Sequence, residues 1–415
     1  MPRRVVVTGL GTIAPNGITT GEVWKNIRDG VSGIVEVDLF DASELPVRIA
    51  GQVPSFDAGI AMDRKEIRRS DRFLQLASVA CVEAVEDAGI GSGAVDTDRV
   101  GVVMASGVGG IGTLEDQAQL LAERGPGRVS PFFVPMMIID MAAGDLSIRH
   151  GFRGPNYATV SACSSAGHAL LDGYNLIQLG YADVMLAGGT EAPITPLAMA
   201  GFCQMKALST RNEEPERASR PFDADRDGFV MGEGAGVAVL ESLEHARARG
   251  ARIYAEFLGG GMSADAHHMT APDPDGEGAV RSMRMALEMT GLELEEVGYI
   301  NAHGTSTIYN DVIESRAIGE VFGAHASGLN ISSTKSMTGH LLGASGALEF
   351  NLTTLAVREG MIPPTINFDT PDPECTLNYT PNACIERTVE VGLSNSFGFG
   401  GHNVTLAVRR FHEES

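Results

Sequence analysis

The chain has 415 residues, 43% of them hydrophobic and 20% charged, with a net charge of −22. That length exceeds one typical core and implies two domains or two fused halves, while the apolar content excludes a disordered chain. The acidic balance argues against nucleic acid or an anionic membrane as partner, and no apolar run reaches the roughly 20 residues of a spanning helix.

The start, Met-Pro-Arg-Arg-Val-Val-Val, leads into a strand without the apolar segment of a signal peptide. Cys81, Cys163, Cys203, Cys375 and Cys384 form an odd, scattered set with no CxxC pair, so a cytoplasmic location is expected. A first strand covers Arg4–Gly9, and a helix follows over Thr20–Asp29 behind a Thr cap. Between them, Gly9-Leu-Gly11-Thr-Ile-Ala14 has the form of a dinucleotide fingerprint, with Glu36 and Asp38 near the place of a ribose-binding acid. The fingerprint needs a helix beginning at its second glycine. Pro15-Asn-Gly17 puts a turn there, so a nicotinamide-dependent dehydrogenase is disfavoured. A second match, Gly107-Val-Gly109-Gly-Ile-Gly112, lacks the acid altogether.

Arg64, Lys65, Arg68, Arg69 and Arg72 make a local basic patch ahead of a helix with apolar periodicity over Arg72–Ala88. Taken alone, such a patch reads as a solvated helix face. Strands are expected at Val100–Ala105 and Ala158–Ser161, and a helix at Ala166–Leu179. Cys163 lies at the joint, where free N–H groups and the positive end of the helix dipole favour thiolate. A free cysteine is equally often a small core residue, and this stretch alone leaves both roles open. Asp183–Ala187 is a further strand. Asp223-Ala-Asp-Arg-Asp227-Gly228 imitates a calcium loop but carries Gly234 where the closing acid should stand, and reads as a structural turn.

Phe229–Leu240 reads as a strand, and Glu241–Arg252 as a helical link between halves 1–250 and 251–415. The alternation then restarts, with strands at Ile253–Leu258, Gly298–Asn301, Asn330–Thr334, Val389–Ser394 and Val404–Arg409 and helices at Gly278–Met289 and Leu341–Arg358. Two segments echo across the halves. Cys163-Ser-Ser-Ala-Gly-His168 aligns with Lys335-Ser-Met-Thr-Gly-His340, and Gly234-Ala-Gly-Val with Gly401-His-Asn-Val. Strands alternating with helices predict helix-covered parallel-rich sheets, here duplicated, with a site beyond the strand ends. Cys163, His303 and His340 all fall at such ends. Their spacing suits a Cys–His pair for nucleophilic catalysis better than a zinc site.

Val-Ser-Ala-Cys163-Ser-Ser, Asn301-Ala-His303-Gly-Thr-Ser-Thr307, Ser333-Thr-Lys335-Ser-Met-Thr-Gly-His340 and Asn395-Ser-Phe397-Gly-Phe399-Gly-Gly401 occur in one chain and in this order. With them the whole chain resembles the β-ketoacyl-acyl carrier protein synthases, the synthase II type in particular. The resemblance implies an α/β thiolase fold, a duplicated αβαβα layering with two stacked mixed sheets. It implies an acyltransferase with no bound cofactor, whose substrates ride on the phosphopantetheine arm of acyl carrier protein. Cys163 would carry the acyl chain, and His303 and His340 would stabilise the charge left when malonyl loses carbon dioxide. The backbone N–H groups of Cys163 and Phe399 would form a second anion hole, and Lys335 with Glu349 would organise the histidines.

By the same resemblance, Thr305 and Thr307 hold the pantetheine arm, and Val108, Phe202 and His268 contact substrate. Lys65, Arg68, Arg69 and Lys206 match a docking surface for the acidic carrier. A homodimer is expected, or else a heterodimer with a chain-length factor in a type II polyketide system. Departures from the family pattern at Ser164-Ser165, Ile308-Tyr309-Asn310 and His402 leave the pathway open. A pure carrier-binding module is the remaining rival.

Overall fold

The computed structural model describes residues 3–91 and 93–413. Ten strands carry the fold: β1 (Val5–Ile13), β2 (Val100–Ala105), β3 (Asn156–Thr159), β4 (Val184–Glu191), β5 (Gly234–Ser242), β6 (Ala255–Ala264), β7 (Val297–Asn301), β8 (Asn330–Ser332), β9 (Val391–Gly398) and β10 (His402–Arg410). Six helices cover them: α1 (Arg72–Ala88), α2 (Met141–His150), α3 (Ser165–Gln178), α4 (Glu277–Thr290), α5 (Ile308–Phe322) and α6 (Ser345–Glu359).

The duplication is complete at the level of pairing. The first half orders its strands β1-β5-β4-β2-β3, the second β6-β10-β9-β7-β8. In each, the first two pairings are antiparallel and the last two parallel. The mixed sheets expected from the sequence are therefore present. They are also continuous, because Val5–Val7 of β1 pairs with Ala255–Phe257 of β6 and joins the halves into one ten-stranded sheet.

Helices α1 and α2 pack outside the first half and α4 and α5 outside the second, while α3 and α6 lie between the halves. The largest core forms around this inner pair and takes Val103, Met185 and Leu240 from one side and Tyr299, Val404 and Leu406 from the other. Each half's outer helices close a core of their own.

Glycine decides how closely layers approach. A Cβ on Gly11 of β1 would lie 1.8 Å from the Ala80 carbonyl oxygen of α1, and one on Gly9 would lie 2.5 Å from that of Ala84. The glycines of the apparent dinucleotide fingerprint thus let a helix sit on a strand. The pseudo-calcium loop is equally structural. Asp223 pairs with Arg220 and accepts hydrogen bonds from the backbone N–H groups of Asp225, Asp369 and Thr370.

Three expectations shift. The helical link shrinks to Leu243–Ala248, because Glu241 and Ser242 pair within β5. Helices α2 and α5 and the helix Ile111–Arg124 were not read from the sequence; α5 buries nearly one whole side, Val312, Ala317, Ile318 and Val321, but polar Asp311, Glu314 and Ser315 interrupt its apolar stripe. The internal repeat also has a different register. The counterpart of the Cys163 turn is not Lys335–His340 but Leu342-Gly343-Ala344-Ser345. Ala162 and Leu342 share a left-handed φ (51° and 46°), and α3 and α6 begin three residues later, at Ser165 and Ser345. Gly343 occupies the place of Cys163. No helix among the described residues is long and apolar enough to cross a membrane.

Substituting Gly11 by Ala drives a methyl into helix backbone that cannot swing aside, and is expected to cost about 2–3 kcal/mol. Urea unfolding checks this; an unchanged midpoint would show that α1 slides without penalty.

Candidate active site

Strand β3 delivers the chain to a tight turn at Ala162–Ser164, from which α3 departs. Ala162 carries a left-handed backbone that costs on the order of 1 kcal/mol in a non-glycine residue, and side chains hold it in place. The Ser161 N–H donates to Ser165 Oγ (2.8 Å), which donates in turn to the Ala162 carbonyl (2.6 Å). Ser164 Oγ reaches across to the carbonyls of Ser396 (2.9 Å) and His402 (2.6 Å). Ser165 therefore braces the turn from within, and Ser164 staples it to the opposite half.

Cys163 is buried at this turn, and the backbone N–H groups of Cys163 and Phe399 both reach its sulfur. The helix start was expected to lower the thiol pKa. Burial instead pushes it up to about 11, outweighing the opposing effects of Lys335 and those N–H groups. The desolvation of a sulfur buried at the foot of its cavity exceeds what a helix terminus supplies, so the resting group is a thiol.

The two histidines come from the second half. After β7, the backbone N–H groups of His303 and Gly304 donate to the Glu314 carboxylate (2.8 and 2.7 Å). Ser306 is left-handed (φ 68°), and its N–H is held by Asp311 at 3.1 Å. Arg226 donates to the carbonyls of Thr307 (2.9 Å) and Ile308 (2.8 Å), fixing the far end of the loop. His340 lies after the short helix Lys335–Thr338; its N–H donates to the Val230 carbonyl (2.7 Å) and its Nδ1 pairs with Ser345 Oγ (2.8 Å). His340 Nε2 and His303 Nδ1 are buried without a hydrogen-bond partner. The two rings stand edge to face, 5.3 Å between centroids.

Lys335 and Glu349 form a buried ion pair beside them. Burial raises the Glu349 carboxyl to about 7 against the pull of Lys335. For both histidines burial is the main cause and the Lys335 charge the next, and together they hold the imidazoles well below their ordinary pKa. At neutral pH the pair is uncharged. A neutral imidazole can carry an N–H toward a developing oxyanion without first bringing a competing charge into the site.

Cys163, His303, His340, Phe399, Thr305, Thr307, Val108, Phe202 and Lys206 all line one cavity of about 520 Å³. Thr305 and Thr307 hydroxyls are paired at 2.9 Å. Phe202 stacks edge-on against Phe229, and Phe229 against His340. His268 does not join the lining: it is exposed, and its Nδ1 accepts from the N–H groups of Thr270 and Ala271 (both 3.1 Å). Its imidazole folds its own loop rather than facing substrate. Lys65, Arg68 and Arg69 are exposed around the short helix Arg64–Ile67, and Arg69 lies over the Phe132 ring at 4.1 Å. Sequence reasoning missed Glu314, which lines the cavity as well as bracing His303. Its signal was available: a carboxylate on the inner phase of a helix just after a His-Gly-Thr motif.

Residues 2–246 match the β-ketoacyl synthase N-terminal domain and residues 254–369 its C-terminal domain. The chain belongs to the β-ketoacyl synthase family. It is 52% identical over 409 residues to a 3-oxoacyl-[acyl-carrier-protein] synthase 2 of Synechocystis sp., covering 99% of this chain and 98% of that one. To the protein of the same name in Coxiella burnetii it is 48% identical over 408 residues, 98% and 99% of the two chains. Among solved structures, a β-ketoacyl synthase from Burkholderia phymatum superposes with a TM-score of 0.92 at 37% identity, covering 99% of this chain and all of that one. A ketosynthase solved with its type II polyketide acyl-carrier protein and bound to a hexaketide also gives 0.92, at 35% identity and the same coverage. The fold is thus the thiolase fold of the ketosynthases, as expected, and the chain is a condensing acyltransferase by family.

A thiol held near pKa 11 should alkylate ever faster up to and beyond pH 9, because thiolate is scarce until then. The iodoacetamide rate at Cys163, followed by peptide mass spectrometry, checks this; a plateau by about pH 8 would show a thiolate stabilised by the helix start after all.

Proposed function

We propose that the chain elongates acyl groups by decarboxylative Claisen condensation, as in fatty-acid synthesis. The observation that carries the proposal is the convergence in one cavity of a buried thiol, the N–H groups of Cys163 and Phe399 at its sulfur, and two neutral imidazoles. Cys163 Sγ adds to the carbonyl of an acyl thioester delivered on the phosphopantetheine arm of acyl carrier protein. The carbon–sulfur bond to the arm breaks, and the thiol proton leaves with the carrier's sulfur. Backbone N–H groups stabilise the tetrahedral oxyanion.

Malonyl-carrier then loses carbon dioxide. The electron pair of the broken carbon–carbon bond spreads onto the thioester oxygen, toward which His303 and His340 donate. The carbanion attacks the Cys163 thioester, the sulfur leaves and regains a proton, and β-ketoacyl-carrier is released. Burial, with the Lys335 charge beside Glu349 adding to it, keeps both imidazoles neutral. Thr305 and Thr307 hold the arm; Val108 and Phe202 bound the acyl chain. Cys163, the two histidines and the thioesters themselves supply the reactive groups, so no cofactor enters, and the reaction takes place in the cytoplasm.

The chain acts as two halves, 1–250 and 251–415, with a second copy beside β3. That strand ends the sheet, with Tyr157 exposed on it and Val160 exposed just past its end, an unpaired edge of the kind proteins cover. The alternative partner is a chain-length factor, as in the ishigamide ketosynthase/chain length factor, which superposes at a TM-score of 0.91 with 35% identity over 99% of this chain. A single species of this chain on gel filtration, at twice its mass, supports the homodimer and the fatty-acid reading.

Cys163→Ala is expected to abolish acyl transfer while leaving malonyl decarboxylation measurable, because the histidines remain. Intact-protein mass spectrometry after incubation with acyl-carrier protein reads the first and carbon dioxide release the second; an acylated variant would sink the nucleophile assignment. Arg68→Glu with Arg69→Glu should raise KM for carrier-bound acyl groups at least about fivefold, each charge contributing about 0.5 kcal/mol or more. Small acyl thioesters should be turned over as before. Equal losses on both substrates would remove the docking role.

A further inference from the structure

Glu191, the last residue of β4, is fully buried and lies outside the cavity lining. No cation pairs with it among the described ion pairs, and only neutral donors satisfy its carboxylate. It accepts from Ser106 Oγ (2.6 Å), the N–H of Gly107 (2.6 Å), the N–H of Val108 (3.1 Å) and the N–H of Gly343 (2.9 Å). Four donors on one carboxylate form a compact anion nest.

The donors belong to two loops that the cavity needs. Gly107 and Val108 follow β2 and line the cavity, and Gly343 follows Leu342, which also lines it. Gly343 is the counterpart of Cys163 in the second half, one turn after His340. Glu191 therefore ties a wall of the acyl-side cavity in the first half to the turn that follows the second histidine. The opposite half has an analogous clamp built on a non-equivalent glutamate: β7 is the counterpart of β2, and the two successive N–H groups after it, His303 and Gly304, are held by the buried Glu314 of helix α5. The fold thus has two carboxylate clamps, one behind the decarboxylation side and one behind the acyl side.

We propose that Glu191 is a positioning residue for acyl transfer, holding Val108 and Leu342 so that the chain on Cys163 is seated for attack. Its geometry is specific to a carboxylate. A glutamine of the same length must point an NH₂ group at one of the N–H donors, which breaks the nest and lets the Val108 loop move. A close analogue of a bad contact follows from the glycines: a Cβ on Gly343 would lie 2.3 Å from the Gly107 nitrogen, so the two loops already touch. The inference rests on the condensing function proposed above and extends it to a residue behind the site.

The test measures two half-reactions of the intact protein, transfer of a long acyl group from its carrier to Cys163 and carbon dioxide release from malonyl-carrier. Glu191→Gln is expected to lower the ratio of acyl transfer to decarboxylation about tenfold, the scale of losing charge-assisted hydrogen bonds. If that variant does not fold, Ser106→Ala removes the one side-chain donor and keeps the carboxylate, and should lower the ratio about threefold. A ratio unchanged from the parent, whether both rates fall together or neither falls, overturns the positioning role and reduces Glu191 to a structural group. A parent protein that performs neither half-reaction overturns the condensing function instead, so the two failures are distinct.

Discussion

The approach of the two central helix starts is the constraint on which the site depends. A Cβ on Gly346 of α6 would lie 2.9 Å from the Gly167 nitrogen of α3, and one on Gly167 would lie 2.5 Å from Val404 on β10. Only glycine admits backbones this close. Because the helix starts abut, the turn carrying Cys163 is pressed against the loops of the opposite half, and Ser164 bonds directly to Ser396 and His402. The thiol of one half meets the imidazoles of the other for this reason. A longer side chain at either glycine would separate them even if every motif were kept.

The same closeness seals the site, and sealing sets its electrostatics. Within a few residues it holds a thiol, two imidazoles, an ammonium and two carboxyl groups, and desolvation is the largest cause of the shift for each group whose pKa moves. Thiol and imidazoles are driven toward their neutral forms, and the carboxyls of Glu314 and Glu349 rise to about 7. Lys335 is the local cation that biases the histidines away from protonation. Reactivity then comes from donors aimed where charge develops, rather than from a nucleophile held charged at rest. The helix terminus behind Cys163 belongs to that arrangement through its N–H groups, not through a lowered resting pKa.

Duplication supplied two copies of the strand-end turns, and the halves diverged in what each copy carries and in which element supplies the carboxylate, the end of β4 for Glu191 and helix α5 for Glu314. One turn with a left-handed first residue presents Cys163; its twin presents Gly343 beside Leu342. One buried glutamate grips the loop of His303, the other the loop of Val108. The glycine pairs of β1 that mimic a nucleotide fingerprint serve only helix-on-strand packing.

The sequence by itself determined the alternation of strands and helices, the duplicated order and the place of Cys163, His303 and His340 at strand ends, each written in a short local pattern of period or turn chemistry. Lys335, Phe399, Thr305 and Thr307 entered the site through the resemblance of whole motifs to the family. The tertiary structure alone decided the register of the repeat, the withdrawal of His268 from the cavity, and the parts played by Glu191 and Glu314. Those depend on backbone N–H groups and carboxylates brought together from distant segments, which leave no periodic trace in a linear sequence. It decided the state of the thiol as well: a strand-to-helix joint is legible as a pattern, but how completely water is excluded from it depends on neighbours that only the packed halves supply.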